Sequence, residues 1–214
     1  MLFMDSSKSP LLNRRIPLLT LLMLGGAVAV ALVPRWPAWL IYDRSAILSG
    51  QLWRMWTGHW IHFSTGHLVC DAIPLGIAGW IVEARGCPRF GWFCFLTPWV
   101  ISAAVLVFEP RLNFCGGLSG LACAMLTLAA LCGLSDAPPW RWVCLAALLG
   151  LAGLNLFESV TGHSMFVTVN GVPVVVSVTS HLAGAAAALA FYGCSKWTTP
   201  TKELNSRAVQ GTVL

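Results

Sequence analysis

Six apolar stretches, at approximately 16–33, 66–84, 90–108, 118–134, 140–158 and 176–194, leave this chain little polar surface around which to fold. Only 10% of its 214 residues are charged and 57% are hydrophobic. A soluble domain carries about 25% charged residues, so this chain is built for lipid rather than for water. A spanning helix needs about 20 residues at ~1.5 Å rise, with a usable range from ~17 upward, and the stretches lie at the short end of it. The expected fold is an all-α membrane protein of six transmembrane helices.

The segment from Pro34 to Thr65 is too polar and too aromatic to span. It holds Trp36, Trp39, Trp53, Trp56 and Trp60, and indole rings favour the membrane interface, so a structured interfacial first loop is expected. Gly116-Gly117 before the fourth stretch reads as irregular backbone entering the membrane zone, where protein or a water-filled cavity must surround it.

Orientation follows from the basic residues. With the N-terminus inside, the cytoplasmic side carries Lys8, Arg14, Arg15, Arg85, Arg89, Arg141, Lys196, Lys202 and Arg207. The other side carries Arg35, Arg44, Arg54 and Arg111. That excess places both termini in the cytoplasm and requires an even number of spans. The first apolar run is long for a signal peptide and has no small-x-small cleavage site before Pro34, so it is read as an anchor. The expected organisation is a cytoplasmic segment over 1–15, a membrane domain over 16–195 and a polar, disordered tail over 196–214. The net charge is +5, but the basic residues are scattered singly, which excludes a nucleic-acid partner. Eight cysteines form no CxxC pair and lie mostly within apolar stretches, as small buried hydrophobes do.

The chemistry lies in two of the stretches. Ser119 opens the fourth, in Cys115-Gly116-Gly117-Leu118-Ser119-Gly120-Leu121, and His181 lies about one and a half turns into the sixth. Both stretches begin at the same face, so the two side chains share a depth just below it. A serine hydroxyl becomes nucleophilic only when a base within hydrogen-bond reach takes its proton. Small residues would let the two helices approach: Gly120, Ala122 and Ala124 in one, Ala183 to Ala188 with Gly184 in the other. Taken singly, Ser119 also suits a packing residue and His181 a buried imidazole, although an ionisable group inside a span is a functional candidate by default.

A third constellation runs His59-x2-His62-x4-His67-x3-Asp71, with His67 and Asp71 on one helix face. Three histidines and a carboxylate could ligate zinc, support an oxyanion near Ser119, or anchor the loop at the interface. Spacing leaves these readings open.

Four motifs together resemble one family. Gly117-Leu118-Ser119-Gly120 matches the GxSG motif of rhomboid intramembrane serine proteases. His181-Leu182-Ala183-Gly184, followed by Ala188, resembles the family's histidine helix. Trp53-Arg54 resembles the WR pair of its first loop, and His62-x4-His67-x3-Asp71 its HxxxxHxxxN pattern. The likeness covers roughly 16–194 in the family's order. The serine-hydrolase elbow GxSxG is not met, because Leu121 stands at its last glycine.

The resemblance implies a six-helix rhomboid-like bundle and a Ser119–His181 dyad that cleaves peptide bonds in the bilayer. No third acid, metal or cofactor is implied. Oxyanion and support roles would fall to the Ser119 backbone N–H, His67, Asp71, Gly117 and Leu118, and loop structure to Trp53, Arg54 and His62. Spans two and five are the family's usual candidates for a gate, and Pro74, Gly76 and Gly79 make distortion of span two plausible. The departure is Asp71, where the family usually carries Asn. An ionised carboxylate cannot donate to an oxyanion, so the expectation is a protonated or histidine-paired Asp71. His-x3-Asp, together with Phe157-Glu158-Ser159-Val160-Thr161-Gly162 before a Gly-Val-Pro-Val loop, resembles the bacterial rhombosortase branch. That branch implies an inner-membrane protease with its site toward the periplasm. Its substrates would be membrane-anchored proteins that lose a Gly-rich C-terminal anchor during surface protein maturation. The alternatives are an inactive rhomboid-like protein that binds membrane clients, and a histidine-lined metal transporter, which would need more acidic or histidine residues in its spans.

Overall fold

A computed structural model describes residues 16–33, 38–169, 172–175 and 177–197. In chain order its helices are α1 (Leu18–Ala31), the short α2 (Arg44–Leu48) and α3 (Arg54–Thr57), α4 (Thr65–Ala84), α5 (Phe90–Phe108), α6 (Ser119–Gly133), α7 (Trp140–Thr161) and α8 (Val178–Trp197). The long helices coincide with the apolar stretches, because helices satisfy every internal backbone group without water. By length and composition α4, α5 and α7 suffice to cross a membrane, while α1, α6 and the Val178–Cys194 part of α8 are shorter apolar helices. The terminal segments 1–15 and 198–214, together with Arg35 and Trp36 of the loop, lie outside the described residues.

The described chain is mostly helical, as expected, with two short antiparallel ribbons added: β1 (Tyr42–Asp43) with β2 (Phe114–Cys115), and β3 (His163–Val169) with β4 (Val172–Val175). Val172–Val174 of the segment read as a Gly-Val-Pro-Val loop thus belong to a strand, β4. Connecting segments beside a bilayer must still satisfy their N–H and C=O groups, and short ladders do so locally.

The bundle is arranged around α6. Most of its length is buried, including Leu121, Ala124, Met125 and Leu128, and it packs against α4, α5, α7 and α8. Closest is α8. A Cβ added to Gly184 would collide with the Gly120 carbonyl, so the two backbones touch at this crossing. The outer faces carry exposed Ile73, Ile77 and Trp80 on α4, Trp92, Leu96 and Val100 on α5, and Leu149, Leu156 and Val160 on α7. Such a contiguous apolar surface suits lipid.

A carboxylate fastens the first helix. Glu83, near the end of α4, accepts from Leu19 N, Thr20 N and Thr20 Oγ1 at 2.9, 3.0 and 2.9 Å. It fills the role of a cap for amides that have no intrahelical acceptor. The C-cap of α4, Arg85, pairs with Asp136 beyond α6 at the same end of the bundle.

Between α1 and α4 the loop folds around Arg54. Its buried guanidinium donates to Gln51 Oε1 at 2.7 Å and to the carbonyls of Ala38 and Ile41 at 2.8 and 2.9 Å. Trp53 Nε1 donates to the Trp39 carbonyl at 3.0 Å, and Thr57 Oγ1 to that of Leu40 at 2.8 Å. Trp56 donates to the Phe95 carbonyl, which ties the loop to α5. The β1–β2 ribbon then pairs Tyr42 with Cys115, one residue before the Gly116-Gly117 entry to α6.

Candidate active site

Ser119 is the first residue of α6, with Leu118 at the N-cap. The amides of that first turn have no carbonyl four residues earlier in the helix, so they are free to meet an acceptor in front of it. Ser119 is partly exposed, whereas the residues on either side, Leu118 and Gly120, are buried. The approach to the serine is set by Gly117, whose φ is +127°. A Cβ there would stand 2.7 Å from His67 Nε2 and 3.0 Å from Asp71 Oδ2. Only glycine combines that left-handed backbone with so close an approach.

His181 lies in the first turns of α8 and is 4% exposed. Ser177 caps that helix, its Oγ accepting from Ser180 N at 3.2 Å. Glu109, at the end of α5, accepts from Ser177 Oγ at 2.9 Å and Thr179 N at 3.2 Å. The Ser180 carbonyl lies 2.9 Å from where a Cβ of Gly120 would be. The residue after Ser119 therefore abuts the residue before His181.

One cavity of about 440 Å³ is lined by Ser119, His181, His67, Asp71, Cys115 and Glu158, with apolar walls from Phe63, Leu126, Leu151 and Leu154. His181 Nε2 and His67 Nδ1 are buried without a hydrogen-bond partner among the described residues. A ligand polar atom in the cavity would relieve that cost. Burial, with Glu109 nearby, raises the Cys115 thiol to about 11, so it stays protonated and unreactive at neutral pH.

The histidine–aspartate constellation gathers beside Gly117, with His67 and Asp71 lining the same cavity. Asp71 Oδ2 is 3.3 Å from both His62 Nε2 and His67 Nε2. Ser64 caps α4 by accepting from His67 N at 3.1 Å, which sets the register of this helix end. His62 Nδ1 faces the Trp60 carbonyl at 3.1 Å, and a carbonyl only accepts, so Nδ1 carries a proton. His62 Nε2 then accepts the Leu118 N–H at 3.4 Å. His62 is thus in contact with the backbone that presents Ser119, and not confined to the loop. His59 does not line this cavity, and its Nε2 is 3.1 Å from both the Pro98 carbonyl and Ser102 Oγ. Trp53 and Arg54 lie away from the cavity, in the loop contacts described above. Among the described residues, no group of three histidine, cysteine or acidic side chains is arranged to hold a metal ion.

Sequence reasoning gave one residue no role at the site. Glu158, quoted there only within the Phe157–Gly162 run, lies inside α7, is 2% exposed, and places Oε2 2.9 Å from His181 Nδ1. A signal was present: Asn155 and Glu158 stand three apart in an apolar helix, so they share one face, and polar groups in a span turn inward.

The family model of the rhomboid domain matches residues 49–196, from the loop through α8. Comparison with curated proteins found no match. With a match over more than half of its length, the chain belongs to the rhomboid family, whose enzymatic members are serine proteases acting on membrane proteins within the bilayer.

Proposed function

We propose that this protein is an active intramembrane serine endopeptidase in which Ser119 is the nucleophile and His181 the base. The observation that supports this reading is the abutment of Gly120 and Ser180, the chain neighbours of Ser119 and His181, which both line one cavity. Ser119 Oγ adds to the scissile carbonyl as its proton passes to His181 Nε2. The amide C–N bond then breaks and that proton goes to the leaving amine. Water, deprotonated by the same nitrogen, releases the acyl group and regenerates the serine. The developing oxyanion is met by the Ser119 N–H at the helix start, with His67 and Asp71 in support.

The substrate reading is the rhombosortase one: a protein held by a C-terminal helix behind a Gly-rich motif, cut to free it during surface maturation. The chain would then be a six-span protein of the bacterial inner membrane with both termini cytoplasmic and the cavity facing the periplasm. The basic-residue asymmetry and the apolar outer faces of the helices support that placement.

Labelling of the detergent-purified protein with a fluorophosphonate serine-hydrolase probe tests the chemistry. Labelling is expected for the native chain and lost in Ser119→Ala and His181→Ala. A folded native protein that neither labels nor cleaves a Gly-rich anchored substrate in proteoliposomes would instead be the client-binding kind.

A further inference from the structure

We infer that Glu158 is the positioning residue of this site, an acid on α7 that fixes the tautomer of His181; the inference rests on the proposed protease reading. The contact is short and enclosed, 2.9 Å between Oε2 and Nδ1, with both side chains buried. A carboxylate can only accept, so the imidazole proton is held on Nδ1. His181 Nε2 is left with its lone pair, and that nitrogen is the one without a partner at the cavity. This is the tautomer that a base for Ser119 requires.

Among the described residues, no other acid near the cavity is placed to do this. Asp71 stands between His62 and His67. Glu109 is occupied with Ser177 and Thr179 at the start of α8. Burying the Glu158 carboxylate in an apolar helix is costly unless it is paired, and His181 is the partner it has. The placement also links the base to the wall of the cavity. Cys144, Asn155 and Glu158 are the buried positions of α7, so Glu158 is one of its few inward attachments, and it ends on the catalytic imidazole. An outward swing of α7 would carry the acid away, and His181 would be correctly oriented only with α7 seated.

The full-length chain in proteoliposomes, with Glu158→Gln and Glu158→Asp, provides the test. Glu158→Gln is expected to lower kcat and the rate of fluorophosphonate labelling by about 10²–10⁴-fold. KM should stay within about threefold, because the loss falls on the chemical step. Glu158→Asp, which keeps a carboxylate, should recover part of the rate. A Glu158→Gln protein of native Tm that labels at the native rate would overturn the assignment, leaving Glu158 a helix-packing group. Equal losses in Asp and Gln variants would overturn it as well. A third readout needs no variant at Glu158: ¹⁵N-imidazole spectra of the native protein, with His181 assigned by its absence in His181→Gln. They are expected to show Nδ1 protonated, and a resonance with the proton on Nε2 would refute the inference even if both Glu158 variants fail to fold. Labelling of native Ser119 with unaffected Glu158 variants refutes only this inference. An unlabelled native protein removes the protease reading, and the role for Glu158 with it.

Discussion

Gly184 of α8 lies against the carbonyl of Gly120 of α6, leaving no room for a side chain between the helices that carry His181 and Ser119. The crossing does two jobs at once. It closes the centre of the bundle, and it fixes how closely the helix that carries Ser119 approaches the one that carries His181. Because the obstructing atom belongs to backbone, it cannot turn aside as a flexible side chain would.

Gly184→Ala should therefore be disproportionately damaging for the addition of one methyl group. Overpacking of a tight core costs about 1–3 kcal/mol, and here the displaced helices also separate Ser119 from His181. The expected result is a lowered Tm in detergent and a larger proportional loss of probe labelling. Gly193, near the other end of α8, has open space where a Cβ would stand, with nothing within 4 Å, and serves as the control. Gly193→Ala should be close to neutral.

Asp71 is the position at which this chain departs from the usual rhomboid pattern. Its Oδ2 faces two imidazoles at equal distance, and an asparagine of the same shape could donate from its amide. Asp71→Asn is expected to retain cleavage or to shift its pH profile, measured as kcat/KM across the neutral range. Complete loss in a protein that still folds would rule out a simple oxyanion-donor role and point to the carboxylate as an orienter of His67.

His59 should make the loop sensitive to acid. Burial holds its imidazole below the usual histidine range, opposed by hydrogen bonding with the backbone of Pro98, Gly117 and Met55. The folded pKa lies below the unfolded one, so the unfolded chain binds more protons on acidification. The stabilisation is complete above the unfolded value of ~6.5 and falls as pH drops through the folded value. Native protein should lose Tm on the acid side of ~6.5, and His59→Gln should flatten that slope while lowering Tm at neutral pH. Parallel slopes in the two proteins would contradict this account.

The fold was most legible where one physical requirement acted alone. The run read at 90–108 is the helix Phe90–Phe108, and that read at 118–134 is Ser119–Gly133, because a bilayer demands long apolar helices and little else. The α7 boundary moved further, from 158 to Thr161, because Gly162 in the left-handed region ends the helix rather than the loss of apolar character. Glu158, the last residue of the stretch as read, thus lies before the final residues of the helix, where it meets His181. The interior of the loop was not legible, since Arg54 is held by carbonyls of Ala38 and Ile41, contacts that no periodicity records. The candidate site could be named from the sequence as a set of residue types, and its geometry could not. The motifs indicate Ser119, His181, His67 and Asp71, but only the folded chain shows that His62 bonds the Leu118 amide and that a second acid stands behind His181.

The cap that Glu83 places on α1 has a consequence for biosynthesis. The amides of Leu19 and Thr20 leave the ribosome well before the carboxylate that will satisfy them. The Glu83 contacts that hold the start of α1 therefore form only once α4 has followed. Assembly of this bundle then has a built-in order, in which α1 is made before α4 but locked in place after it.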